Sequence, residues 1–469
     1  MSGLYASLNA SVRALAAHSR AIEITGKNLS NVNNPEYARQ RVVYGDRGTV
    51  VTASGTESLG FEAKAVEQVR DELLDRQVMR EVALKAAFEQ EQKGYQRAQA
   101  GLGQSIDRTA AAAESTAADT GGLSAALDDF FNAFQSLASR PTDNGERQTL
   151  LQRAATLADR FNLTDRRLAQ VQTDLDAGVE DDVAKVNRLL ATVAELNAQI
   201  GRVEINNPGA AVDLRDQRQA RLEELSAKIP VELRNEGAQV RVSARDADGN
   251  EVVLVSLAAV AAEVSFDGNG LVAGPDATPL APAGGSIKGA LTARDGAIRT
   301  LRHDLDLLAR QLVTSVNAAY NPTGATGDFF AAAGTSAGSI AVQSGLNTHS
   351  LKTSDGGAAA DNTLALAVAR LANRDFSTAD GDHIDGTFAA FYGKTVSRLG
   401  QSLASANSRV EDQANIETLI RTQRDSLSGV SLDEEMADLM KFQRAYQASS
   451  RVFSVMDELL ETVVNRLGV

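Results

Sequence analysis

The last forty residues, VSLDEEMADLMKFQRAYQASSRVFSVMDELLETVVNRLGV (430–469), decide how the rest of the chain is read. Within them Phe442, Tyr446, Ser449, Phe453, Met456, Leu460, Val463 and Leu467 follow at alternating steps of four and three. That spacing marks a helix with one narrow apolar seam. At the other end Leu4, Leu8, Ser11, Leu15, His18, Ile22, Thr25 and Leu29 keep the same rhythm. The N-terminal ridge is interrupted by Ser11, His18 and Thr25. Its five large apolar side chains fall short of the entropy cost of ordering about thirty residues against one partner. Small residues such as Ala10, Ala14, Ala17 and Ala21 would let several neighbours approach. Residues 1–41 carry a net charge of +3 and residues 430–469 a net charge of −3, so the ends can also attract each other weakly. Both ends are expected to become ordered on assembly.

Composition narrows what lies between. A chain of 469 residues exceeds one core and suits two to four domains. Aromatics make up 4% and Trp is absent, so cores must be built from Ala, Leu and Val in close-packed helices. A net charge of −14 argues against a nucleic-acid backbone as partner. With no cysteine there are no disulfides or thiolate metal sites. The N-terminus lacks the basic and continuously apolar regions of a secretory signal, and no apolar run is long enough to span a membrane.

Taken in order, residues 3–33 read as a helix stopped by Asn34-Pro35. Residues 37–60 read as extended chain. A long helix is expected from Ala65 to about Ala118, another from Leu123 to before Arg140-Pro141, and further ones over 146–176, 183–203 and 214–228. From Pro230 the pattern alternates, and two hairpins are expected around Asp246–Gly249 and Asp267–Gly270. Helix returns over 286–320, irregular surface chain covers 321–354, and helices follow over 362–373 and 388–426. Ser431 with Glu434 reads as a capping box opening the last helix.

The expected fold is mainly α with a small inserted β domain. A terminal coiled-coil assembly domain would take 1–38 and 430–469, and an elongated helical rod with extended segments 39–230 and 286–429. A hairpin-rich β domain would take 231–285.

Chemistry is hard to place on this chain. His18, His303, His349 and His383 have no partner at ligand spacing. Asp246, Asp248 and Asn250 begin like a calcium loop, but Glu251 stands where the loop needs Gly, so a hairpin turn is the better reading. Asp380, Asp382 and Asp385 read as a solvated loop before a helix. No phosphate-binding loop, dinucleotide fingerprint or nucleophile elbow occurs. Neither a catalytic residue nor a cofactor or metal site is expected.

Two signatures carry a resemblance. Gly26-Lys27-Asn28-Leu29-Ser30-Asn31-Val32-Asn33-Asn34-Pro35-Glu36-Tyr37-Ala38-Arg39-Gln40 resembles the N-terminal signature of the flagellar axial proteins (rod, hook and hook-associated proteins). Gly429-Val430-Ser431-Leu432-Asp433-Glu434-Glu435-Met436-Ala437-Asp438-Leu439 with Phe442-Gln443-Arg444-Ala445-Tyr446-Gln447-Ala448-Ser449 resembles the C-terminal one. In the middle, Leu214-Arg215-Asp216-Gln217-Arg218, Leu222-Glu223-Glu224-Leu225-Ser226 and Gly284-Gly285-Ser286-Ile287-Lys288-Gly289-Ala290-Leu291 resemble the hook-associated members that join hook to filament. This chain has Asn34-Pro35-Glu36-Tyr37 where the family usually has Thr-Pro-Gly-Tyr.

The resemblance implies a structural protein of the bacterial flagellum, exported unfolded by the type III apparatus without a cleaved signal. It would form a ring-like homo-oligomer outside the cell. Its implied partners are the hook protein, the second hook–filament junction protein and an export chaperone that masks the C-terminal helix. The assembly interface would use Leu4, Leu8, Leu15, Ile22, Leu29, Asn28, Asn31 and Tyr37 at one end. At the other it would use Leu432, Met436, Leu439, Phe442, Tyr446, Phe453, Met456, Leu460, Val463 and Leu467. A hook protein or flagellin is the alternative, opposed by the long helices of 65–228. A non-flagellar coiled-coil protein would not explain both signatures.

Overall fold

The structure, a computed structural model, describes residues 2–52, 55–103, 122–324, 327–358 and 360–467. It is mainly helical, with small antiparallel sheets and a β region inserted between helices. The chain forms two compact units. The first combines Met1–Lys85, Val183–Gly285 and Gln413–Val469, and the second combines Ala86–Asp182 and Ser286–Asp412.

In the first unit the terminal helices α1 (Ser2–Ser30) and α10 (Leu432–Leu467) pack on each other. The last turn of α1 meets the first turns of α10, so the two run antiparallel. Beside them β1 (Gln40–Asp46) pairs with β4 (Phe61–Gln68), and between these strands β2 (Thr49–Thr52) and β3 (Gly55–Ser58) form a second hairpin. Helix α2 (Glu72–Leu102) therefore starts later than Ala65. Residues 65–68 had looked helical because nothing there breaks a helix, yet the Gln40–Val43 ladder holds them extended. The expected end of that helix near Ala118 lies outside the described residues.

Helix α4 (Asn144–Glu204) is a single element where two were expected. Gly178 costs about 1 kcal/mol against Ala in a helix. The buried Leu175, Val179, Val183 and Val186 on either side carry the helix through it. α5 (Val212–Lys228) then leads into the inserted sheets. One sheet has the order β5 (Glu232–Glu236), β6 (Gln239–Arg245), β7 (Glu251–Ser256), β8 (Ala259–Val260). The other has β11 (Thr278–Leu280), β10 (Leu271–Ala273), β9 (Val264–Phe266). The Asp246 turn is closed by its own carboxylate, which accepts from the backbone N–H of Asp248 and Asn250 at 2.9 and 2.7 Å. Asn187 and Asn197 of α4 hold the sheets. Asn197 donates to the carbonyls of Val240 and Leu257, and Asn187 exchanges two bonds with the Val264 backbone.

The second unit is organised by α3 (Leu123–Ser139), whose Phe130 and Phe134 are fully buried. Phe130 lies 5.2 Å from Phe134, 5.9 Å from Phe329 and 5.6 Å from Phe330. Phe329 and Phe330 sit in the stretch 321–354, which had read as surface chain, yet neither is exposed. α6 (Gly285–Ala293) passes through a π-helical turn at Arg294–Ile298 into α7 (Arg299–Tyr320), with the kink at Gly296. A Cβ at Gly289 would fall on the Ala87 carbonyl, so only glycine lets α6 come this close to α2. α8 (Thr363–Arg370) and α9 (Phe388–Ser428) complete the helices.

Candidate assembly site

The seam of α1 is rotated from the one its large residues suggest. Ser11, Ala17, Ala21, Ile24, Thr25 and Asn28 are buried, whereas Leu8, Leu15, Ile22 and Leu29 are only half-buried. The helix has two neighbours, α10 and the β1–β4 hairpin, and its small residues face the crowded side. His18 lies edge-on to Phe61 with ring centres 5.6 Å apart. Its Nδ1 is buried without a hydrogen bond, and burial lowers its pKa.

On α10, Leu460 is buried, and Leu439, Phe442, Phe453 and Met456 are half-buried on the α1 side. Leu432, Met436 and Tyr446, expected in the same interface, are exposed at 53%, 42% and 40%. A second stripe, Val452, Val455 and Leu459, is also open, at 48%, 55% and 47%. It keeps the same three-four spacing one helix position over. Of the residues expected at the interface, Leu4, Val463 and Leu467 have side chains outside those described.

A polar clasp joins the two ends. The Asn28 carboxamide donates to the Gln40 carbonyl at 2.8 Å and to Glu435 at 3.0 Å. Its oxygen accepts from the Tyr37 hydroxyl at 2.8 Å and the Gln40 N–H at 3.0 Å. All four of its hydrogen-bonding positions are thus used in a residue 2% exposed, which is what a buried amide requires. Arg39 donates to Glu435 and to Glu434, each at 2.7 Å, and its backbone N–H donates to the Ser428 carbonyl. Glu434 therefore turns to Arg39, and no Ser431 side-chain bond is found among the described residues, so the expected capping box does not form.

Lys27 and the Gln40 amide both donate to Asp213, and Arg70 bridges Asp75 and Asp216 at 3.0 and 2.6 Å. Burial raises the Tyr37 pKa well above its ordinary value, and the Asp216, Asp213 and Glu435 carboxylates add to it. The phenol stays a neutral donor. Burial alone would raise Asp213, but the bonds from Lys27 and Gln40 outweigh it and hold its pKa below the usual range. Asn31 takes no part in the clasp; it donates back to the Lys27 carbonyl and ties down the last turn of α1.

Residues from opposite ends of the sequence are thus locked side by side, with an open apolar stripe on the outer helix. Among the described residues no group of three His, Cys, Asp or Glu is placed to hold a metal, and no helix is long and apolar enough to cross a membrane. The arrangement is suited to packing between helices.

Comparison with known proteins agrees. Residues 110–330 match the helical domain of the flagellar hook-associated protein FlgK, and residues 422–467 match the C-terminal family of flagellar basal body rod FlgEFG proteins. The chain is 26% identical to flagellar hook-associated protein 1 of Bacillus subtilis, covering 100% of this chain and 99% of that one. The likeness to flagellar hook-associated protein 1 thus runs over the whole chain. Flagellar hook-associated protein 1 of Salmonella typhimurium is 24% identical, over 98% of this chain and 99% of its own. A structure described as the flagellar hook junction protein FlgK from Burkholderia pseudomallei has a TM-score of 0.46 and 20% identity, over 55% of this chain and 46% of that one.

The likeness to flagellar hook-associated protein 1 includes the signatures at both ends. In this chain their Asn28, Tyr37, Arg39, Gln40 and Glu435 make one clasp. Arg39, Gln40, Glu435 and Asp213 were not singled out from the sequence. The first three stand in the two quoted end motifs, but only the juxtaposition of those motifs shows which residues pair.

Proposed function

We propose that this chain is a structural subunit of the junction between flagellar hook and filament, without catalytic activity. Residues 1–38 and 430–469 serve as its assembly domain, 39–230 with 286–429 as a helical rod, and 231–285 as a small β domain. The observation that carries this reading is the open stripe Val452, Val455 and Leu459 on a helix already clasped to α1. Exposed apolar surface of that regularity on a helix gains by packing against another helix. Copies of the same chain, arranged as a ring, supply those helices, and Leu432, Met436 and Tyr446 extend the contact. The hook protein lies on one side of the ring and the second junction protein on the other. Export proceeds through the type III apparatus to the cell exterior without a cleaved signal, with a chaperone covering the C-terminal helix beforehand.

Deleting residues 435–469 in a motile host tests the reading. Hooks are expected to form, filaments to fail to attach, and filament protein to be shed to the medium. Normal filaments would contradict it.

A further inference from the structure

Arg215 and Arg218 of the motif Leu214–Arg218 line a cavity of about 420 Å3 in the first unit. Its wall carries five arginines, Arg70, Arg76, Arg215, Arg218 and Arg234, against two carboxylates, Glu72 and Asp75. This excess sits in a chain whose net charge is −14. Two of the arginines are already paired, Arg70 with Asp75 and Asp216, and Arg215 with Glu204. Glu72 is engaged by the Asn235 amide.

Arg218 is different. It is 7% exposed, and its hydrogen bonds among the described residues run from Nη1 alone, to Asn197 at 2.9 Å and the Ala238 carbonyl at 3.0 Å. It has no carboxylate partner among the described residues, and its Nε and Nη2 make no recorded bond. A buried guanidinium with no directly paired carboxylate is costly. Its pKa is lowered to about 10 by burial and by the neighbouring Arg215 and Arg70, which outweigh the opposing charges of Glu204 and Glu72. At the same cavity the Arg70 Nε is also buried without a hydrogen bond. Arg76 and Arg234 are exposed and make no ion pair among the described residues.

The geometry points to an oxyanion site, in which a phosphate or carboxylate group enters between Arg218 and the arginines of the cavity wall and takes the donors they leave unused. Guanidinium groups match the paired oxygens of such anions, and hydrogen bonds between opposite charges are the strong ones. The anion comes either from solution or from an acidic side chain of a neighbouring protein. Both present the same oxygens. This inference does not depend on the terminal helices or on the junction reading.

The full-length chain should be titrated calorimetrically with inorganic phosphate at low ionic strength. Saturable one-to-one binding is expected, with a rise in Tm. Arg218→Lys should weaken it by about tenfold, because a point charge replaces the fork. Arg218 also supports Asn197, so Arg234→Gln at the exposed side provides a variant that folds whatever the fate of Arg218; it should weaken binding about threefold. Arg160→Gln, in the other unit, should leave it unchanged. If phosphate also slows self-association over the same concentration range, the natural anion is a neighbour's carboxylate; if it does not, the anion is free in solution. Absence of saturable binding by the folded wild type, or equal affinity in Arg234→Gln and Arg218→Lys, would overturn the proposal.

Discussion

The two units differ in what they leave uncovered. Among the described residues every exposed large apolar side chain lies in the first unit, from Val12 and Val51 to Leu419, Val455 and Leu459. The second unit has none among its described residues. It has a dense aromatic core instead, with Phe130, Phe329 and Phe330 fully buried and Phe131 stacked on Phe388 at 5.5 Å. A unit that buries its apolar side chains among themselves needs no partner to be stable. One that leaves them in rows on helices is incomplete without one. On the proposed reading the second unit is a finished scaffold, and the first is the part shaped for assembly.

This contrast can be broken by mutation, beginning where the effect is largest. Phe329→Ala removes a ring from the centre of the aromatic cluster and should cost about 3–5 kcal/mol in a denaturant melt. A loss under about 1 kcal/mol would mean the second unit is not held by that core. Asn28→Ala strips four hydrogen bonds from the clasp. It leaves Gln40, Tyr37 and Glu435 with unmet groups and should cost the first unit about 1–3 kcal/mol. The second unit's transition should not move.

Acid should also act on the first unit. Burial opposes the charged forms of Glu204 and Glu417, but Arg215, and Arg421 with Lys85, outweigh it and hold both pKa values below the ordinary 4.5. A lowered folded-state value means stability that is fully present above the unfolded value and is lost as pH falls through the folded one. Burial raises Asp75 and Asp216 despite Arg70, and they work in the opposite sense, so the loss is partial. Denaturation midpoints at neutral pH and at about pH 3.5 should show a decrease in the first unit. An increase would contradict the assignment.

The smallest effect on stability belongs to Val455→Ser with Leu459→Ser. Both side chains are about half exposed, so the folded monomer should change by less than about 0.5 kcal/mol. Self-association, followed by sedimentation, should nevertheless fall sharply. Unchanged association would remove the open stripe from the interface.

Much of this contrast was legible in the sequence. The two terminal helices and the inserted hairpins follow from periodicity and turn residues, which act over short distances. What was not legible depends on contacts between distant segments. Nothing near Ala65 says that the strand at Gln40 will claim it, and nothing near Phe329 says that Phe130 lies against it. The clasp is the clearest case. Asn28 and Glu435 are 407 residues apart, and each alone reads as an ordinary polar residue at a helix end. The rotation of the α1 seam has the same cause, because small residues face the tightest neighbour and spacing alone ranks large residues first.

The central claim, that the first unit is completed by neighbouring copies and the second is not, is tested most directly by amide hydrogen exchange on the monomer and on the assembled protein. Residues 8–22 of α1 and 446–460 of α10, beyond the clasp, should exchange rapidly in the monomer and slow markedly on assembly, while α3 and α7 are protected in both states. Terminal helices fully protected in the monomer, or a gain of protection confined to the second unit, would contradict it.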